Sequence, residues 1–105
     1  MKPLDDVTIV DLSRVLAGPY CTMLLAELGA TVIKVERPDG GDDARAFGPH
    51  VDGQSGYFAS VNRGKRSIAL DLKTEGGLAV ARRLAAGADV VTQSFRPGVI
   101  ERLGL

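Results

Sequence analysis

The chain of 105 residues carries one cysteine, Cys21, and one histidine, His50. A single cysteine excludes an internal disulfide and fits a reducing compartment. On the apolar side of a predicted helix, Cys21 reads as a small buried hydrophobe. With no second imidazole a histidine metal centre is excluded, no metal is expected, and His50 reads as a loop residue facing solvent. No apolar run approaches the roughly 18 residues of a membrane span, and the opening MKPLDD is too polar for a signal peptide. A soluble cytoplasmic protein without a membrane partner is therefore expected. Excess charge of one sign is also missing, since 13 Lys and Arg balance 13 Asp and Glu. No global field argues for nucleic acid, and an anionic ligand must be held by a local cluster.

Two glycine signatures are absent as well. Glu36 closes a predicted strand where an acid would grip a ribose, and Arg37 beside it could meet a 2′-phosphate. Yet the turn before the first helix offers only Gly18, whereas backbone approach to a pyrophosphate calls for G-x-G-x-x-G. A Walker loop fails because Gly64-Lys65 is followed by Arg66 and position 59 is alanine.

What is present is organised around residues 7–36. Val7, Ile9 and Val10 predict a strand, Gly18-Pro19 a helix start, and Gly29 a helix end. Tyr20, Leu24 and Leu28 recur every fourth residue with Cys21 and Leu25 beside them, predicting the buried side, while Thr22 and Glu27 mark the polar side. Thr31 to Val35 predicts a second strand, completing a parallel βαβ unit with a right-handed crossover. Ligands of such sheets bind at the carboxyl ends of the strands, which places Ser13 to Gly18 and Glu36 to Asp39 on one rim.

Residues 36–56, crowded with Gly, Asp and Pro, are expected to be irregular, with Asp42 and Asp43 as solvated loop acids. Ser55 is a candidate cap for a short helix through Tyr57, Phe58 and Val61. Ser67 to Leu72 alternates as a third strand with Ile68, Leu70 and Leu72 on one face. Thr74 caps a helix whose buried stripe is Leu78, Ala81, Leu84 and Ala85, ending at Gly87. Asp89 to Ser94 predicts a fourth strand, and Pro97 opens a last helical turn. The pattern is α/β, the first half of a doubly wound sheet, with one side short of cover.

Arg63, Lys65 and Arg66 lie on one turn, with Arg37, Lys73, Arg96 and Arg102 after the predicted strands. Arginine offers planar bidentate contacts to phosphate oxygens and lysine a movable point charge, so the set suits a ligand with several phosphates.

The stretches DLSRVLAGPYCTMLLAELGATVIKVERPDGGD, YFASVNRGKRSIALDLK and ADVVTQSFRPGVIERLGL together resemble the N-terminal part of class III (CaiB/BaiF-type) coenzyme A transferases. The related 2-methylacyl-CoA racemases share the likeness, which covers essentially the whole chain. It implies that residues 1–105 are part of a Rossmann-like, mostly parallel coenzyme-A-binding domain with flanking helices, a fragment of a longer chain that forms an interlocked homodimer. It also implies that coenzyme A serves as substrate and acyl carrier, passing between carboxylic acids. By matching position, Leu16 and Ala17 line the coenzyme and Arg37 lies near its adenosine end. Leu70, Asp71, Leu72 and Lys73 hold the nucleotide, Ser94, Phe95 and Arg96 run along the coenzyme, and Arg102 is a further phosphate-region arginine. Ser94 departs from the asparagine usual in relatives and lacks its amide N–H. The family's nucleophilic aspartate matches no residue of this sequence, so no catalytic residue is nominated. Asp11 and Asp71 match scaffold, and Asp89 begins a strand away from the rim. A racemase fragment and a non-catalytic coenzyme-A-binding module are the alternatives.

Overall fold

A computed structural model describes residues 1–105. In chain order β1 (Thr8–Asp11), α1 (Ala17–Glu27) and β2 (Thr31–Glu36) form the first unit. A 3-10 turn (Asp43–Ala46), a small hairpin of β3 (His50–Val51) and β4 (Gln54–Ser55), and α2 (Gly56–Ser60) follow. The chain then runs through β5 (Arg66–Ala69), α3 (Glu75–Ala86), β6 (Val90–Thr92) and α4 (Val99–Leu103). The sheet has the order β5-β2-β1-β6, and every pairing in it is parallel. The expected α/β class is what forms.

Alternation along the strands sends neighbours to opposite faces. Ile9 joins Ala30 and Val32 beneath α1, whereas Val10 joins Leu12 and Val35 on the other face, where Leu84 of α3 and Ile100 of α4 pack. Cover is incomplete at the β6 edge, where Val90 and Val91 are each 42% exposed. A parallel sheet of this kind buries both faces when complete.

The helix starts and stops follow local chemistry. The Ser55 hydroxyl accepts the Phe58 N–H at 3.0 Å and the Thr74 hydroxyl accepts the Gly77 N–H at 3.1 Å, both as the caps predict. The first helix begins at Ala17, so Pro19 still falls within the turn whose N–H groups have no helical partner.

The rotation of α1 differs from the expectation. Tyr20, Leu24 and Leu28 are 50%, 42% and 46% exposed, Cys21 is exposed, and the buried side is Pro19, Thr22 and Met23. Polar anchors set this rotation. Gly18 lies so close to Ser13 that a Cβ would overlap its side chain, and one turn on Thr22 donates to Asp11 Oδ2 at 2.6 Å. With Thr22 drawn inward, the four-residue apolar stripe must face out.

Both later strands are shorter than expected because their neighbours end. The Leu70 N–H donates to the carbonyl of Glu36, the last residue of β2, at 2.8 Å, and β5 stops at Ala69. The Leu12 N–H likewise closes on the Thr92 carbonyl at 2.8 Å, the end of β6. Residues 36–56 are more regular than expected. Asp52 and Gly53, at φ 52 and 77, make the two left-handed positions of a tight hairpin turn, the conformation an Asp-Gly pair favours.

Candidate functional site

The carboxyl ends of β1, β2 and β5 open onto a cleft of about 470 Å³ that Phe95 and α4 wall on one side. Its floor is apolar, with Leu12, Leu70 and Leu72 over the Val10 cluster. Its rim is ionic, with Arg14, Arg37 and Lys73 among the lining residues.

Six of the expected ligand-holding residues line this space: Arg37, Leu70, Asp71, Leu72, Lys73 and Phe95. The other five are not among its lining residues. Leu16 and Ala17 open α1, with Leu16 49% exposed. The Ser94 hydroxyl accepts the Arg14 N–H at 3.2 Å, tying the β1 turn to the β6 turn. Arg96 is exposed just before α4, and Arg102, in its last turn, folds its guanidinium over Gly98.

Of the cleft's cations, Arg14 was not singled out by position along the sequence. Its guanidinium lies 5.6 Å from the Phe95 ring centroid, a cation–π contact. Arg14, Lys73, Arg96 and Arg102 have no carboxylate within ion-pair distance; the five ion pairs of the structure involve Lys34, Arg37, Arg45, Arg63 and Lys65. Arg37 is tied to Asp43 and donates to the Asp39 carbonyl at 2.9 Å, but both side chains are half exposed, and such a pair is weak enough to open for a ligand.

The basic turn does not join this rim. Residues 62–66 lead into the amino end of β5, on the far side of the strand from the cleft. There Arg63 pairs with Glu27 at 2.7 Å. Lys65, its side chain 2% exposed, is spent on Asp11 Oδ2 at 3.1 Å, the Pro19 carbonyl at 3.0 Å and Asn62 Oδ1 at 2.9 Å. The expected set of rim cations is therefore smaller by this turn, because a charge drawn onto a buried acid has no capacity left for a ligand.

Asp11 is the centre of that inner network. Besides Lys65 it accepts from the Ser13 N–H at 2.9 Å, the Ser13 hydroxyl, Thr22 and the Thr92 hydroxyl at 3.0 Å. Burial pushes its carboxyl up, but bonds from Ser13 and Thr22 and the Lys65 ammonium outweigh it and hold the group below the usual range. Burial in turn lowers the Lys65 ammonium, with Asp11 opposing.

A second buried network lies directly under the cleft. Lys34 Nζ meets Asp42 Oδ2 at 2.8 Å, with the two side chains 1% and 0% exposed. Asp42 is thus a buried acid and not the solvated loop residue expected from its Gly-Asp surroundings. Period-two alternation gave no sign of this pair, since a lysine within a β-branched strand reads as its polar face.

Glu36 is committed too. Arg45 donates to both oxygens at 2.7 and 2.8 Å, the Asp42 N–H donates at 2.8 Å, and the Ser67 hydroxyl completes the set. Burial would raise its carboxyl, yet the bonds from Arg45, Ser67 and Asp42 bring it down to about 2. No lone pair remains for a ribose hydroxyl, so the dinucleotide reading loses its acid as well as its glycines.

The model of CoA-transferase family III matches residues 4–105. Among curated relatives, mouse succinyl-CoA:glutarate CoA-transferase is 53% identical over 106 residues, covering 100% of this chain and 24% of its own length. Acetyl-CoA:oxalate CoA-transferase of Acetobacter aceti is 51% identical, covering 97% of this chain and 26% of its own. The crystal structure of a CaiB/BaiF family protein from Brucella suis superimposes with a TM-score of 0.93 at 49% identity, over 99% of this chain and 29% of that one. The chain thus spans about a quarter of the length of the curated relatives it matches.

Proposed function

The chain belongs to CoA-transferase family III, and from that premise we propose that its cleft binds coenzyme A as part of an acyl-CoA transferase working between carboxylic acids. The observation that carries this reading is the rim of cations without acid partners, Arg14 and Lys73 in the cleft with Arg96 and Arg102 beside it, above an apolar floor. Coenzyme A carries a diphosphate and a ribose phosphate for such cations and a nucleoside with an apolar arm for such a floor.

The residues of this chain hold the nucleotide end and fix its orientation. Acyl transfer belongs to the family's aspartate nucleophile, which takes the acyl group as a mixed anhydride and then carries coenzyme A as a thioester until a second acid receives it. No residue of the cleft described here takes that part. A cytoplasmic homodimer, as expected from the sequence, is part of this proposal.

Calorimetric titration with coenzyme A, and with its 3′-dephospho form, tests the reading. Saturable binding that falls when Lys73 is replaced by Ala supports it. Failure of the folded protein to bind either compound would overturn it. A protein that binds but transfers no coenzyme between succinyl-CoA and glutarate, or acetyl-CoA and oxalate, with all its chain present would be a binding module.

A further inference from the structure

The turn that brings Arg14 to the cleft runs against the preference of its own residues. Val15 sits at φ 74, in the left-handed region where a β-branched side chain crowds the backbone. The next residue gives no relief, since Leu16, at the start of α1, makes no capping bond. Support comes instead from 27 residues away, where both carboxylate oxygens of Asp42 lie 3.2 Å from the Val15 nitrogen and accept its N–H.

Asp42 is itself aimed from two sides. The Ala44 N–H donates to its Oδ1 at 2.9 Å and Lys34 Nζ meets its Oδ2 at 2.8 Å. Lys34 also donates to the Ser13 carbonyl at 3.1 Å, so the pair grips the turn at residues 13 and 15 together. Both side chains are buried beneath the cleft wall and are spent on these contacts. A buried ion pair is by itself poor ground for stability, because an apolar pair of equal volume serves a core as well. A strained residue whose N–H is held by Asp42 alone gives the charges a use.

We infer that Lys34 and Asp42 are positioning residues: they lock the Arg14–Leu16 turn in its left-handed kink so that the Arg14 guanidinium meets the anionic groups of the ligand. The inference rests on the coenzyme A reading for the ligand's identity; Lys34 and Asp42 lie at the cleft lining, but their charges are engaged with each other and with the turn.

Three variants, Asp42→Asn, Val15→Gly and the double, are compared by amide hydrogen exchange and by coenzyme A titration. In Asp42→Asn the Val15 amide is expected to exchange at least about tenfold faster with the β1 amides unchanged, and affinity to fall about tenfold. Glycine adopts positive φ freely, so in the Val15→Gly background the same Asp42 change should cost no more than about threefold. Val15→Gly alone should melt no lower than the parent. Unaltered Val15 exchange in Asp42→Asn, equal affinity losses in the two backgrounds, or a lower melting temperature for Val15→Gly would overturn the inference. A folded parent that binds no coenzyme A would overturn the ligand reading instead, and the exchange and melting data would still decide whether Asp42 holds the turn.

Discussion

The molecule carries two populations of cations a few residues apart in sequence and opposite in environment. Lys34, Lys65 and Arg45 face buried acids, Asp42, Asp11 and Glu36. Arg14 and Lys73 line the cleft, and Arg96 and Arg102 lie just before and within α4, whose Val99 and Leu103 line it; none of the four has an acid to meet. The first population fixes the ends of β1 and β2 and the turns that leave them; the second has no acid partner, as the proposed anion site requires. A cation's use here follows from whether a strand end offers it a desolvated carboxylate, not from how many basic residues share its turn.

That contrast predicts the largest effect for Lys65→Met, which strips the ammonium from a buried Asp11. The loss is expected at about 3–5 kcal/mol in urea unfolding, against less than about 0.5 kcal/mol for Arg63→Ala on the same turn. Similar costs for the two would erase the distinction. Acid titration sharpens it next. The Glu36 carboxyl is lowered from 4.5 to about 2 on folding, so its contribution is complete above about pH 4.5 and is lost as pH falls toward 2. The drop amounts to about 3 kcal/mol for this group, and Glu36→Gln should remove that part of the acid slope. An acid limb unchanged in Glu36→Gln would show the group is not held as described.

Gly18→Val comes third. A side chain there overlaps Ser13, and overpacking of this kind costs about 1–3 kcal/mol. Coenzyme A affinity should fall with it as the β1 turn moves outward, so an unshifted melt together with unchanged affinity would mean the turn lies elsewhere. The smallest effect on the fold is expected from the outer population. Lys73→Ala should leave stability within about 0.5 kcal/mol while weakening coenzyme A by about 1–3 kcal/mol if it bonds phosphate. A greater loss with coenzyme A than with its 3′-dephospho form would assign Lys73 to the ribose phosphate; equal losses would assign it to the diphosphate.

How much of this was legible in the sequence depends on how local the cause is. The caps at Ser55 and Thr74, the βαβ unit and the rim at Arg37 and Lys73 follow from signals within a few residues. The rotation of α1 does not, because it is set by Thr22 reaching Asp11, a side-chain bond that competes with the apolar period. Asp42 and Lys65 depart from expectation, and Lys34 carries no signal, for a related reason: a charge reads as free for solvent or ligand until its partner, 8 or 54 residues away in the chain, is known to share its pocket. The Asp52-Gly53 hairpin is different again, since its signal was present and lay in a stretch whose glycines and prolines suggested no order at all.

The central claim is that the outer cations bind an anionic coenzyme while the inner ones only hold the fold. Its most direct measurement is coenzyme A titration of the parent protein and of the Arg14→Ala, Lys73→Ala double variant, with melting curves for both. Saturable binding by the parent, weakened about 100-fold in the double variant at an unchanged melting temperature, is the result predicted from two independent charge-assisted contacts. Equal affinity in the two proteins, or no binding by the folded parent, would contradict it.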